Sequence, residues 1–274
     1  MAVINTNVAA TLTANALARN ERAMGQSMER LSTGLKINSA SDDAGGLSMG
    51  LTMTAQIKGL DMAAKNANDA ISMIQTADGA TVEIGNMMQR MRELAVQAVN
   101  GTQTDADLDA LDLEYQALLS EIDRIAEATQ FNGTAIITGA VGTTGTVTFQ
   151  VGADSAQTVN VAFGDFNTAA LTITGGDIDD ATNAAAAIIA LDTDIDALAQ
   201  QRGTYGAAIN RLEYTVDNLN NISMNTQAAR SRIEDADYAS ESTELAKTQI
   251  IAQAGTAMLA QANQQAQTVL ALLK

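Results

Sequence analysis

The side chains here that can do chemistry are carboxylates, hydroxyls, amides, cationic groups and thioethers, because the 274 residues include no Cys and no His. That excludes disulfides, thiolate and imidazole catalysis, and the common zinc sites. Asp42-Asp43-Ala44-Gly45-Gly46 is the stretch most like a metal or phosphate loop. It lacks the ligand spacing of an EF-hand and the Lys of a phosphate loop, so it reads as a bend that opens a new helix, with Ser41 or Asp42 as the N-cap. The twelve Met fall mostly at seam spacing, Met24, Met28, Met88, Met91 and Met258 among them. Adaptable core filling explains them better than a metal-binding stripe. Neither a cofactor nor a metal is expected, and no catalytic residue.

Helices must position these residues. Between 188 and 219 apolar residues fall at Ile188, Leu191, Ile195, Leu198, Tyr205, Ile209, Leu212, Val216 and Leu219, alternating three and four, with Arg202 alone breaking the set. That repeat predicts one long helix with a narrow buried seam, whose core is Leu191, Ile195, Leu198, Ile209, Leu212 and Leu219. Arg202 is expected to pair with an acidic residue across the bundle or to mark a subunit contact. Matching seams run through Leu17, Met24, Met28, Leu31 and Leu35, through Ile84, Met88, Met91, Ala95 and Ala98, and through Leu108, Leu111, Tyr115, Leu118, Ile122 and Ile125. A looser one resumes after Asn220-Asn221 with Ile233, Leu245, Ile251, Met258, Ala262, Val269 and Leu273, with Leu259 beside it. Gly34 punctuates the first helix, Asn100-Gly101 is expected to end the second with a left-handed cap, and Thr104-Asp105 starts the third. Between 131 and 176 the texture turns to Gly, Thr and Val, and the alternation in Thr146–Val151 and Val159–Phe163 predicts β-hairpins. The expected fold is mainly α, an elongated antiparallel helical bundle or coiled coil with a small β-hairpin region and the termini paired at one end.

Composition supports this. Hydrophobic residues make up 46% but aromatics only 3%, which suits close helix packing. No apolar run approaches the roughly 20 residues needed to span a bilayer, and the first twenty residues show no ordinary secretory leader. The formal charge of −17 disfavours nucleic acid and membrane partners. It is uneven: residues 61–237 carry 8 basic and 26 acidic residues, whereas 1–60 hold five against four and 238–274 two against two. Near-neutral ends are where identical copies can meet at least electrostatic cost. Their seams are thin in large side chains, and ordering some eighty residues costs on the order of 100 kcal/mol. The ends are therefore expected to be largely disordered alone and to order when copies surround them.

The chain resembles the bacterial flagellins. The match lies in Ala2-Val3-Ile4-Asn5-Thr6-Asn7, in SMERLSTGLKINSASDDAGGL from Ser27, QRMRELAVQ from Gln89, and SRIEDADYASE from Ser231 followed by TQIIAQAGTAMLAQANQQAQTVLALL. The resemblance implies a subunit exported by the flagellar type III route and polymerised under a cap into an extracellular filament. It implies an inner terminal coiled-coil domain of residues 1–44 and 231–274 and a helical rod of 45–230, with little or no outer domain. Subunit packing would fall on Leu17, Met24, Met28, Leu31, Leu35, Leu245, Ile251, Met258, Leu259, Val269 and Leu273. The implied partners are further copies of the chain, an export chaperone on the C-terminal segment, the cap protein and the hook-filament junction protein. The innate flagellin receptor of animal hosts joins them, at Gln89, Arg90, Leu94, Gln97 and Glu114. An Arg and Glu mixture there also suits a plain exposed helix face. Thr and Ser between 143 and 174 lie where many flagellins are O-glycosylated, though nothing local requires it. Ala266 stands near where many relatives carry Pro. The alternatives are a hook-filament junction protein, a coiled-coil scaffold unrelated to flagella, and an enzyme with a peptidase in the central insertion, against which stands the lack of any HExxH.

Overall fold

The computed structural model describes residues 7–173 and 176–272, with side chains through Gln264. Leu273 lies outside the described residues, as do Ala2 to Thr6 and the side chain of Val269. Five helices run in the order α1 (Val8–Thr33), α2 (Ala44–Ala98), α3 (Asp105–Ala128), α4 (Ala181–Glu234) and α5 (Tyr238–Leu272). Between α3 and α4 lie β1 (Gln130–Phe131), β2 (Thr134–Ala135), β3 (Thr146–Gln150) and β4 (Thr158–Ala162). The chain divides into two compact units, Gln56–Met224 and the flanking segments up to Ala55 and from Asn225.

Local chemistry sets the element ends. The Asn7 side chain caps α1 through Ala10 N–H at 3.1 Å, and Gly34, at φ 74°, closes it with its N–H on the Arg30 carbonyl. The α2 cap is Asp43, one or two residues later than expected: its Oδ1 accepts from the N–H of Gly45 and of Gly46, both at 3.0 Å. Asp42 instead accepts from the Ser39 and Asn38 N–H groups, which hold its carboxyl below the usual range. The cluster that looked like a ligand loop thus spends its oxygens on the bend. Gly101 is not among the left-handed residues, and α2 ends instead with Asn100 N–H bonded to the Gln97 carbonyl. Thr104 and Asp107 form a reciprocal capping box on α3, and Asp180 accepts from Thr182 and Asn183 at the start of α4. Asn220-Asn221 does not loosen α4, which continues to Glu234.

In the unit from Gln56 to Met224, α2 and α4 run antiparallel. Arg92 meets Asp192 at 2.6 Å, Arg202 meets Asp78 at 2.8 Å, and Ser223 donates to Asp61 at 3.1 Å. Arg202 therefore pairs across the bundle, but half-exposed beside the seam. The seam itself steps through Leu191, Asp194, Leu198, Tyr205, Ala208, Leu212 and Leu219, all buried, with Ile195 and Ile209 partly so. As far as Leu212 it packs on Ile84, Met88, Met91, Ala95 and Ala98 of α2 and on Tyr115, Ile122 and Ala126 of α3, whereas Leu219 packs with Leu60 and Ala63 of α2. β3 and β4 pair antiparallel with Val147 opposite Val161, and burying Val159 and Val161 joins them to this core. The β1–β2 hairpin opens the expected β region ahead of the two alternating stretches, and Asn132-Gly133, at φ 51° and 79°, is the favoured two-residue turn for it.

Three carboxylates pin the chain that leads into α4. Asp123 accepts from Thr168 N–H and Oγ1, Asp194 from the N–H groups of Thr172 and Ile173, and Asp112 from Ile178 N–H. This explains a buried Asp in an apolar seam, since each carboxylate replaces water with fixed donors. Tyr115 is different. Its ring is fully buried and its hydroxyl has no partner among the described residues, and burial, then Asp112 and Asp194, pushes its pKa up to about 12. Tyr115→Phe is thus expected to leave urea stability unchanged or raise it by about 1 kcal/mol, because it removes an unpaired buried polar group. A loss above about 1 kcal/mol would mean that the hydroxyl has a partner.

Candidate assembly surface

Outside that core the flanking segments form an antiparallel pair, α1 against α5. Asn7 Nδ2 donates to the Ala262 carbonyl at 3.1 Å, Asn20 Nδ2 to the Thr248 carbonyl at 2.7 Å, and Arg30 Nη1 to Glu241 Oε1 at 2.9 Å. At the closed end Lys36 N–H bonds the Glu234 carbonyl and Ala236 N–H bonds the Gly34 carbonyl, both near 2.6–2.9 Å. These contacts describe one register along the whole pair.

The less exposed faces show the heptads directly. On α1 they are Ala10, Thr13, Leu17, Asn20, Met24, Ser27 and Leu31; on α5, Glu241, Leu245, Thr248, Ala252, Gly255, Leu259 and Ala262. Periodicity of the large apolar residues found Leu17, Met24, Leu31, Leu245 and Leu259. Met28, Ile251 and Met258 are not on these inward faces but stand 56%, 45% and 59% exposed. The seam is filled instead by small and polar residues, and a Cβ on Gly255 would sit 3.3 Å from Leu17 Cδ1. Asn20, Ser27, Thr248 and the Arg30–Glu241 pair escaped a search keyed to hydrophobicity. The three-four spacing continues through them and was the available signal.

This pair has almost no core of its own. Among the described residues every buried apolar side chain except Ile37 belongs to the unit from Gln56 to Met224. Val8, Leu12, Met28, Ile250, Ile251 and Met258 point to solvent from α1 and α5. Large apolar side chains turned outward from a pair without a core are the mark of a surface completed by another molecule.

A second surface lies on α2 and α3. Arg90 is exposed and donates through Nε and Nη2 to Glu114 Oε1 at 2.9 and 2.8 Å, with Glu93 at 3.0 Å; these bonds raise its pKa. Gln89 and Gln97 are exposed beside it. Leu94 is not: at 1% exposure it belongs to the core, because it follows Met91 by three on the face α2 turns inward. Among the described residues no group of His, Cys, Asp or Glu is arranged to hold a metal, and no helix is long and apolar enough to cross a membrane.

A helical bundle joined to a coreless, outward-apolar helix pair defines a structural protein of the self-assembling class. Residues 4–141 match the bacterial flagellin N-terminal helical region and residues 188–273 the C-terminal helical region. The chain belongs to the bacterial flagellin family and is a structural subunit of the flagellar filament, into which flagellins self-polymerise. It is 46% identical to a flagellin of Halalkalibacterium halodurans, over 99% of this chain and 100% of that one. It is 43% identical to the Bacillus subtilis flagellin, over 99% of each. Among solved structures, Bacillus cereus flagellin is similar at 37% identity and a TM-score of 0.51, covering 57% of this chain and 88% of that one. A putative flagellar hook-associated protein from Vibrio parahaemolyticus shares the fold at 13% identity and a TM-score of 0.59, covering 71% of this chain and all of that one. That likeness concerns fold alone.

Proposed function

We propose that α1 and α5 are the surface through which copies of this chain pack in the filament. On this reading residues 1–44 and 231–274 form the inner layer and residues 45–230 the rod. The single observation that carries it is the outward apolar set on a helix pair with no core, Met28, Ile251 and Met258 included. Ordering this pair is costly, and burying those side chains against neighbours, at about 25 cal/mol per Å² of apolar area, offsets that cost only in the polymer. The exported monomer then travels with loose ends, which suits the type III route, with a chaperone covering the C-terminal segment and the cap protein guiding addition. The hook-filament junction protein would offer the first copy an equivalent surface. Location outside the cell follows from the same reading. So does the lack of enzymatic activity, supported by a chain without His or Cys. Seeded polymerisation of the full chain beside one ending at residue 249 tests the assignment.

The Gln89, Arg90, Gln97 and Glu114 face is proposed as the host receptor contact, with buried Leu94 supporting it from beneath. The Arg90–Glu114 pair presents a fixed guanidinium edge with polar neighbours, suited to hydrogen-bonding recognition. Arg90→Ala is expected to lower signalling in a receptor reporter assay about tenfold or more, as for an anchoring Arg at an interface. Unchanged signalling would remove the proposal.

A further inference from the structure

The apolar pattern of the α1–α5 pair does not fix its own register. Leu17, Met24 and Leu31 repeat every seven residues on α1, and Leu245, Ala252 and Leu259 do so on α5. Sliding α5 by one heptad would set the same kinds of side chain opposite each other again. Seams with such repeats are prone to slip, and a polar contact that only one alignment satisfies is the established way to prevent it. The two Asn clasps discriminate poorly, because every turn of α5 offers another backbone carbonyl, and the Lys36–Glu234 and Ala236–Gly34 backbone bonds hold the junction before α5 rather than α5 itself. Arg30–Glu241 differs. Glu241 and Glu244 are the only carboxylates in α5, and Glu244 is engaged by Lys247 on its own helix at 3.1 Å. A heptad slip toward the C-terminus would place Arg30 against Thr248, whose position carries no charge.

We propose that the Arg30–Glu241 ion pair is the register lock of the terminal helix pair, a positioning contact for assembly; this rests on the reading of α1 and α5 as the packing surface. The pair is better sheltered than the other interhelical bridges, with side chains 24% and 14% exposed. Arg30 Nε is buried without a partner among the described residues, so the contact is not tuned for stability. A sheltered, imperfectly satisfied ion pair contributes less to stability than an apolar one would, and its best-attested use is specifying alignment.

The chain has no Cys, so a paired-cysteine experiment reads the register cleanly. Leu17→Cys with Gly255→Cys reports the observed alignment, since those positions touch, and Leu17→Cys with Ala262→Cys reports the alignment slipped by one heptad. Under polymerising conditions the first pair is expected to cross-link in about tenfold excess over the second, falling to about parity in Arg30→Ala. The charge swap Arg30→Glu with Glu241→Arg should restore the excess. Unchanged cross-linking in Arg30→Ala would overturn the proposal. So would a loss of the first cross-link without gain of the second, or failure of the swap, since both describe general destabilisation. If cross-links shift as expected yet filaments grow normally, the lock stands and the packing-surface reading fails.

Discussion

A chain ending at residue 249 is expected to form no filaments while its Gln56–Met224 unit stays folded. The truncation removes Ala252, Gly255, Leu259 and Ala262 from the seam, and with them the contacts that α1 makes at Asn7 and Leu17. It also removes Ile250, Ile251 and Met258 from the outward apolar set. None of the described residues it removes belongs to the main core, whose buried side chains lie between Ala67 and Leu212. Cooperative urea unfolding should therefore persist, because that core has its own helices, caps and carboxylate pins. Electron microscopy after seeding gives the decisive reading. Long filaments from the truncated chain would refute the packing assignment, and loss of cooperative unfolding would refute the independence of the bundle.

Leu212→Ala should destabilise that bundle by about 2 to 5 kcal/mol, the range for a buried leucine that leaves a cavity. Leu212 is 0% exposed and occupies the α4 heptad between Ala208 and Leu219. Its neighbours are held by long helices on either side and cannot collapse freely into the space, which favours the upper part of the range. Tyr214, two residues on, is exposed, and Tyr214→Ala should change stability by less than about 0.5 kcal/mol. Urea midpoints of the two variants measure the contrast directly. Equal midpoints would show that α4 is not seated as described.

The long helices were legible because a three-four apolar spacing has few other physical solutions, and the strands because β-branched alternation between glycines has few either. Legibility failed where polar groups replace apolar ones at seam positions. Asp194 is invisible to a hydrophobic pattern, since its burial depends on the N–H groups of Thr172 and Ile173, some twenty residues earlier. The N-cap slipped to Asp43 because two adjacent Asp residues are equivalent in sequence, and only the path of the bend decides which faces the first turn.

The same division holds for the assembly surface. By itself the sequence determined that the chain is helical, that its ends are nearly neutral and thin in core residues, and that their motifs are those of flagellins. Tertiary structure decided which way each end helix turns. A one-residue difference is about 100° of helix rotation, enough to move Met258 outward while Leu259 meets α1. It also decided that Leu94 is core and Arg90 surface, and that Arg30 meets Glu241. Those outcomes depend on partners distant in the chain, which local periodicity does not encode.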